Sequence, residues 1–487
     1  MIIIAFCAFL LLFVIIGVLS TLKSVPTTHD YLLAGQNVKP WLAGLSAVAT
    51  SNSGYMFIGI IGFTYLTGPS VFWLMSGWIF GDMLASTFIH KRLRIATEKA
   101  GVLSFTGALA RWQGTDYRVL RAAGGIVTVI FLGIYAAAQF NAGSKALHVL
   151  FGWDHAAGAV MGAIIVLLYC FAGGLRASIW TDVAQSFVMI SAMGLLCFTA
   201  ITEIGGFSAY LTAINAVSTD YTSLFPASLP ALDLGLGGLT GPLLFVLGWV
   251  FAGLGVTGQP HIMARFMVMD RPENMWRVRI YYYAWEISFY TLAIGTALSA
   301  RILLNEPGSF DAELALPTLA LELLPEALVG LILAGLFAAT MSTADSQILS
   351  CTAAITRDFD FSPKDEQPFI ESYTMTKLCT VLVTALALAI ALSGNESVFQ
   401  LVLIAWAALA SGFTPLMAVY ALGGKPSEKT AVAMMISGLA VMLGWRYFGF
   451  NAYIYEAAPG IIAGLLPYGI SRLFSGSPIV GTAAKSA

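Results

Sequence analysis

Uninterrupted apolar stretches recur along this chain from one end to the other. The first covers residues 2–20, and only 10% of the 487 residues are charged. A soluble domain carries about 25% charged residues, whereas a helix that spans a membrane needs about 20 consecutive apolar residues. The pattern therefore predicts an all-α integral membrane protein that forms a single transmembrane domain over residues 1–487.

Thirteen apolar segments are long enough to cross a membrane, and this odd number places the two termini on opposite sides. If the N-terminus lies outside, all but three of the 24 lysines and arginines fall on one face, the exceptions being Lys145, Arg301 and Arg446. Basic loops mark the cytoplasmic side. We therefore predict an inner (cytoplasmic) membrane location with a cytoplasmic C-terminus. The segment centres lie near residues 11, 54, 80, 133, 164, 190, 250, 290, 340, 384, 408, 437 and 465.

The composition also argues against several classes of function. A net charge of −2 does not suit a nucleic-acid-binding protein, and the five cysteines lie in apolar stretches without the spacing of metal ligands. No nucleophile–base or metal constellation of an enzyme appears. We predict a non-enzymatic protein whose partners are a small solute, an ion and membrane lipid, and which is able to act as a monomer.

Two apolar segments are broken by small, polar or helix-weakening residues. The segment over 49–55 reads ATSNSGY, and the segment over 252–260 reads AGLGVTGQP, with three glycines and a proline. Glycine and proline destabilise helices, and paired interruptions in two halves of a transporter mark its substrate and ion sites. Each break opens a run of five helices, over 41–200 and 238–420. This spacing predicts a five-plus-five inverted repeat with extra helices in 1–40 and 421–487.

Acidic residues inside apolar segments are costly in lipid and are therefore functional candidates. Ser342, Asp345 and Ser346 share a helix face, because Asp345 and Ser346 follow Ser342 by three and four residues. A carboxylate with two hydroxyls is a hard-oxygen set suited to Na⁺, and Asp182 is a second candidate. Asp82 and Glu286 have no hydroxyl cluster beside them, and for these two a structural role is favoured.

Several motifs resemble the sodium:solute symporter family over nearly the whole chain, and in particular its sodium/proline symporters. The matching stretches are DYLLAG at 30–35, GGLR at 173–176 with WTD at 180–182, GQPHIMARFM at 258–267, and ATMST at 339–343. The resemblance implies Na⁺-coupled symport of a small organic solute on a LeuT-type fold. Proline or a similar amino acid is the solute that it favours.

The resemblance also implies ligands. Its first sodium site corresponds to the backbone carbonyls of Ala49, Asn52 and Ala339 with the hydroxyls of Ser342 and Thr343. A second sodium site, found in some relatives, corresponds to Asp182, Ser342, Asp345 and Ser346.

The solute is expected to bind near the two breaks. Proline symporters carry an aspartate where this chain has Ser51, and aromatic residues where it has Ala252 and Val256, so the pocket differs from theirs. Trp249 or Phe251 is a candidate to compensate for these missing aromatic residues. The complete set of candidate solute residues is Ser51, Ser53, Gly54, Tyr55, Tyr135, Trp249, Ala252, Val256, Gln259, Pro260 and Trp406.

Other functions stay open at this point. A betaine, a monocarboxylate or a sugar acid would suit the same fold, and Asp182 or Asp345 could bind a proton instead of Na⁺. A membrane sensor is disfavoured, because the chain ends soon after its last apolar segment.

Overall fold

The computed structural model describes residues 1–226, 229, 237–304, 307–359, 372–393 and 397–475. This part of the chain is helical, and its one bridge between extended residues joins Val38 to Met269. Ten of its helical stretches are long and apolar enough to cross a membrane. The prediction of an all-α membrane protein is therefore confirmed.

The helices follow one another along the chain as listed here. They are α1 (Ile2–Ser20), α2 (Thr28–Leu33), α3 (Pro40–Ser51), α4 (Ile60–Thr67), α5 (Val71–Phe88), α6 (His90–Ala100), α7 (Phe105–Ala110), α8 (Arg118–Phe151), α9 (His155–Glu203), α10 (Phe207–Val217), α11 (Thr240–Leu254), α12 (Pro260–Met267), α13 (Met275–Leu303), α14 (Ala315–Leu323), α15 (Glu326–Arg357), α16 (Tyr373–Ser393), α17 (Val398–Ala421), α18 (Glu428–Tyr447) and α19 (Ala457–Ser475).

Helix α9 contains two helical segments that meet at Gly174. This glycine has φ 55° and ψ −140°, outside the helical region, and a side chain there would place its Cβ 2.3 Å from the carbonyl oxygen of Tyr31. Only glycine satisfies both conditions. The close approach therefore fixes the kink against α2 and separates the two predicted segments centred near 164 and 190.

Both predicted helix interruptions are confirmed. Helix α3 ends at Ser51, Asn52 leaves the helical region with φ −90° and ψ 74°, and a π-helical turn precedes α4. Helix α11 passes into a 3₁₀ turn over Gly255–Gly258 and then into extended backbone at Gln259, before Pro260 begins α12. At these points backbone carbonyl and amide groups are released from the helical ladder.

Helix α15 lies at the centre of the bundle, where it packs against α1, α3, α8 and α9. Nearly all of its residues from Val329 to Ala354 are buried. Because α15 contacts the broken α3 directly, the polar residues in its middle face the interruption.

Candidate functional site

Two hydroxyl groups of α15 bind carbonyl groups at the interrupted end of α3. The Ser342 hydroxyl donates to the carbonyl oxygen of Ala49 at 3.0 Å, and the Thr343 hydroxyl donates to that of Thr50 at 2.9 Å. Both hydroxyls also reach the carbonyl oxygen of Ala339, at 3.2 and 3.1 Å. The structure thus brings together four of the five predicted ligands of the first sodium site in a fully buried cluster.

Asn52, the fifth predicted ligand, lies where α3 ends. Its side-chain amide donates to the Val48 carbonyl at 2.8 Å, and its side-chain oxygen is buried without a hydrogen-bond partner. Its backbone has left the helix, so its carbonyl group is not committed to a helical hydrogen bond. A small cation suits such an arrangement, because carbonyl and hydroxyl oxygens can replace its water shell.

Asp182 and Asp345 lie a short distance away on α9 and α15, and both are fully buried. Arg265 of α12 lies between them: its guanidinium is 3.0 Å from one oxygen of Asp182 and 3.7 Å from one oxygen of Asp345. The hydroxyl of Ser346 contacts Arg265 and also donates to Asp345 at 2.7 Å. Sequence alone groups Arg265 with the basic loop residues, which is wrong, because its side chain is 0% exposed.

This acidic cluster carries two negative charges and one positive charge when its members are ionised. One oxygen of each carboxylate, Oδ1 of Asp182 and Oδ2 of Asp345, has no hydrogen-bond partner. Unpaired carboxylate oxygens in a fully buried cluster are costly. The net negative charge of the cluster and its two unpaired carboxylate oxygens therefore suit the binding of one more cation.

A small cavity lies beside the interruption of α3. Its volume of about 10 Å³ is close to the space that one water molecule needs, so its walls must part to admit a solute. Trp78 and Trp406 pack with ring centroids 4.5 Å apart. The lining is mainly aromatic and aliphatic, and its members are Ser51, Tyr55, Met56, Leu74, Met75, Trp78, Tyr135, Tyr290, Val402, Leu403 and Trp406.

Four of the predicted solute residues line this cavity: Ser51, Tyr55, Tyr135 and Trp406. Ser53 lies behind Tyr135, whose hydroxyl donates to it at 3.4 Å.

Other predicted residues support the cavity. The backbone N–H of Gly54 donates to Gln139 at 2.9 Å. Trp406 links the cavity to the second interruption, since its indole donates to the Ala252 carbonyl at 2.9 Å and its own carbonyl accepts from Gln259 at 3.1 Å. Val256 is buried in the adjoining 3₁₀ turn.

Two predicted solute residues lie elsewhere. Trp249 lines a separate, larger cavity near α19 and stacks on Tyr455, whereas Pro260 lines a cavity bounded by α7 and by Asp358. The structure does not bring either of them to the small cavity.

Aromatic and charged side chains pack next to Tyr55, which lines the small cavity. The ring of Tyr55 stacks on Phe399 with centroids 5.2 Å apart. Glu313 accepts a hydrogen bond from the backbone N–H of Phe399. It also accepts from Lys145 at 2.5 Å and from Ser397 at 2.8 Å. Burial opposes ionisation of Glu313, but the hydrogen bonds and positive charge of Lys145 outweigh it and lower the pKa of Glu313. The packing next to Tyr55 thus combines a ring stack with an ion pair.

The amino-acid sequence of this chain matches that of a known family. The profile of the sodium:solute symporter family matches residues 31–438, which include α3, α9, α12 and α15. The chain belongs to the sodium:solute symporter family. Membership makes it an integral membrane transporter that couples a small solute to Na⁺.

Relatives with curated functions cover almost the full length of this symporter. The sodium/proline symporter of Escherichia coli (strain K12) is 29% identical, with 98% of this chain and 93% of that protein aligned. The sodium/proline symporter of Salmonella typhimurium is 30% identical over the same shares. The high-affinity proline transporter PutP of Bacillus subtilis is 28% identical over 91% of this chain and 92% of that one.

Solved structures agree on the fold. A Na⁺-coupled sialic acid symporter in a substrate-bound, outward-open state superposes with a TM-score of 0.79 at 20% identity, over 96% of this chain and 98% of that one. MhsT in complex with L-phenylalanine gives a TM-score of 0.57 at 15% identity, over 88% and 98%. The symporter therefore shares its fold with a Na⁺-coupled sialic acid symporter and with a protein that binds L-phenylalanine.

Proposed function

We propose that this symporter drives the uptake of proline, or of a similar small amino acid, with an inward Na⁺ gradient. The observation that carries the proposal is the pair of hydroxyls on α15, Ser342 and Thr343, bound to carbonyl groups at the broken end of α3. The names of the relatives at 28–30% identity support proline as the solute.

Thirteen membrane crossings are proposed. The ten apolar stretches become thirteen when α9 is divided at Gly174, when α3 with α4 is counted apart from α5, and when α13 is added. The basic residues support an external N-terminus in the inner membrane. Residues 41–200 and 238–420 are the two five-helix repeats, and 1–40 and 421–487 are peripheral.

At the first sodium site, an arriving Na⁺ would exchange the present hydrogen bonds for ion contacts. The hydroxyls of Ser342 and Thr343 would rotate their protons away, and their oxygens would bind the ion with the carbonyls of Ala49, Asn52 and Ala339. Since these groups belong to both α3 and α15, the ion would brace the interrupted helix against the centre of the bundle. Sodium binding would thereby shape the solute cavity.

At the second site, the free oxygens of Asp182 and Asp345 with the hydroxyls of Ser342 and Ser346 would bind another Na⁺. The net charge of −1 in the cluster containing Arg265 supports it.

The membrane potential adds to the driving force. Each positive charge that moves inward down 100 mV contributes about 2.3 kcal/mol, which is more than a tenfold concentration ratio at about 1.4 kcal/mol. One or two Na⁺ per cycle are thus sufficient to concentrate a solute substantially.

For the solute, the cavity offers aromatic walls with few hydrogen-bonding groups. The hydroxyls of Ser51 and Tyr55 have no partner, and neither does the side-chain oxygen of Gln259 near the second interruption. A compact zwitterion with an apolar ring fits such a lining, since its charged ends can meet the interrupted helix ends while its ring packs on Trp78 and Trp406.

The test is uptake of labelled proline into proteoliposomes with an inward Na⁺ gradient, and with Na⁺ replaced by choline. We expect accumulation that requires Na⁺ and that is lost when Ser342 and Thr343 are both replaced by Ala. Thr356→Ala is the matched control, because the Thr356 hydroxyl is buried but donates only to its own helix. Na⁺-dependent thermal stabilisation without proline uptake would refute proline and leave Na⁺ coupling intact.

A further inference from the structure

Two carboxyl groups outside the sodium sites lie buried between α5 and α13. Asp82 is 1% exposed and Glu286 is 0% exposed. None of their four carboxyl oxygens accepts a hydrogen bond of normal geometry, and within the described part of the chain neither group forms an ion pair. Each residue lies within the electrostatic range of the other. The pair is thus the least compensated negative charge in the described structure.

Phenol hydroxyl groups surround the pair. Tyr282 and Tyr283, from the turn of α13 preceding Glu286, face Asp82, and Tyr290, one turn after it, faces Glu286. The hydroxyl of Tyr282 is buried and has no partner in normal geometry. Tyr282 and Tyr290 are buried and have hydroxyl protons available for the negative charge that remains on the pair, whereas the hydroxyl of Tyr283 donates to Ser86.

No positively charged side chain of the described residues forms an ion pair with either carboxyl group. His90 lies eight residues after Asp82, at the start of α6, and Arg279 lies seven residues before Glu286 in α13. His90 stacks on Phe266 and both of its ring nitrogens lack partners, whereas Arg279 donates to Thr87 at 3.0 Å. A carboxylate buried without a countercharge is normally neutralised by protonation, and two carboxyl groups that share a site do not both ionise.

Polar residues connect the pair to the end of the bundle that is rich in basic side chains. Asp82, Ser86 and His90 follow one another at intervals of four residues along α5 and the start of α6, and therefore lie on one face. Across from them, the Tyr283 hydroxyl donates to Ser86 at 2.9 Å. Thr87, which is exposed, lies beside this row.

The pair also adjoins the solute cavity. Tyr290 lines that cavity while its hydroxyl faces Glu286. Ser51 lines it as well and lies beside the hydroxyl of Tyr282. One residue on each side of the pair is therefore shared with the proposed solute site.

We propose that Asp82 and Glu286 together form a proton-binding site that holds one proton between α5 and α13. The proton comes from water at the basic end of the bundle and forms an O–H bond with one carboxyl oxygen. The charge of the pair changes from −2 to −1, and the remaining charge is stabilised by the phenol hydroxyls. The effect of this proton on solute transport rests on the proposed function, whereas its presence does not.

The test is infrared difference spectroscopy of the purified symporter at neutral pH in H₂O and D₂O. A protonated buried carboxyl group gives a carbonyl band that shifts in D₂O. We expect Asp82→Asn and Glu286→Gln each to shift this band, and the double variant Asp82→Asn/Glu286→Gln to lose band area equivalent to about one carboxyl group. Glu456→Gln is the matched control, because Glu456 is 1% exposed but pairs with Arg446 at 2.6 Å.

Conservative variants are the controls for misfolding. Asp82→Glu and Glu286→Asp keep a carboxyl group and should move the band without removing it. An unchanged band in both amide variants would overturn the proposal, and so would loss of the wild-type band on addition of Na⁺, since Na⁺ would then be the ligand. If the band behaves as expected but Na⁺ never stabilises the protein, the proton site stands and the sodium-coupled function falls.

Discussion

Replacing Ser342 with Ala should weaken Na⁺ binding by about 10-fold to about 100-fold. The Ser342 hydroxyl is 3.0 Å from the Ala49 carbonyl and 3.2 Å from that of Ala339. It is 0% exposed, so water cannot take its place. A hydrogen bond to a charged group contributes about 1.5–3 kcal/mol, and each 1.4 kcal/mol is about tenfold in affinity; a hydroxyl contact to Na⁺ should be of similar strength.

The assay is thermal unfolding of the purified protein at increasing Na⁺, with K⁺ keeping the ionic strength constant. Stabilisation follows the ratio of Na⁺ concentration to its dissociation constant, so the variant should need correspondingly more Na⁺ for the same shift. Without Na⁺, the free energy of unfolding of the variant should also be lower by about 0.5–1.5 kcal/mol, because one neutral hydrogen bond between α3 and α15 is absent.

Ser299→Ala is the control for this measurement. The Ser299 hydroxyl is equally buried but donates to the carbonyl of Gly295 in its own helix, at 2.9 Å. It should leave the Na⁺ dependence unchanged. If Ser342→Ala retained the wild-type Na⁺ dependence within about twofold, a factor well below the loss expected from one charged contact, Ser342 would not be a sodium ligand.

Three further predictions concern other parts of the symporter. Asp345→Asn should make the Na⁺ dependence of uptake less steep, and an unchanged steepness would argue against a second sodium. Gly253→Ala should lower the unfolding temperature, because its Cβ would lie 2.0 Å from the Trp78 carbonyl, whereas Gly133→Ala, with nothing within 4 Å, should not; equal effects would contradict this. Burial raises the pKa of Asp358 from 3.8 to about 7, so stability should fall as pH rises through this range, and fall less in Asp358→Asn.

The interruptions could be predicted from sequence because their causes are local. Glycine and proline weaken a helix wherever they occur, and the runs at 49–55 and 252–260 combine them with small or polar residues. The structure places both interruptions inside these runs. The same applies to Ser342 and Thr343, whose burial follows from their position in a long apolar helix.

Contacts between distant segments could not be predicted in the same way. Arg265 lies between Asp182 and Asp345, which are 83 and 80 residues away from it along the chain, and only the crossing of α9, α12 and α15 brings them together. Asp82 and Glu286 are further apart still. Helical periodicity gives the face on which a residue lies, but it does not give the helix that this face will meet.

The close seating of α5 on α11 constrains how the symporter can alternate between its open states. A Cβ on Gly81 would lie 2.0 Å from the Val250 carbonyl, and one on Gly253 the same distance from that of Trp78. Backbones in such contact cannot slide past each other by even one residue without collision. The two helices must therefore travel as one rigid body, and the hinges that open either gate have to lie in other elements.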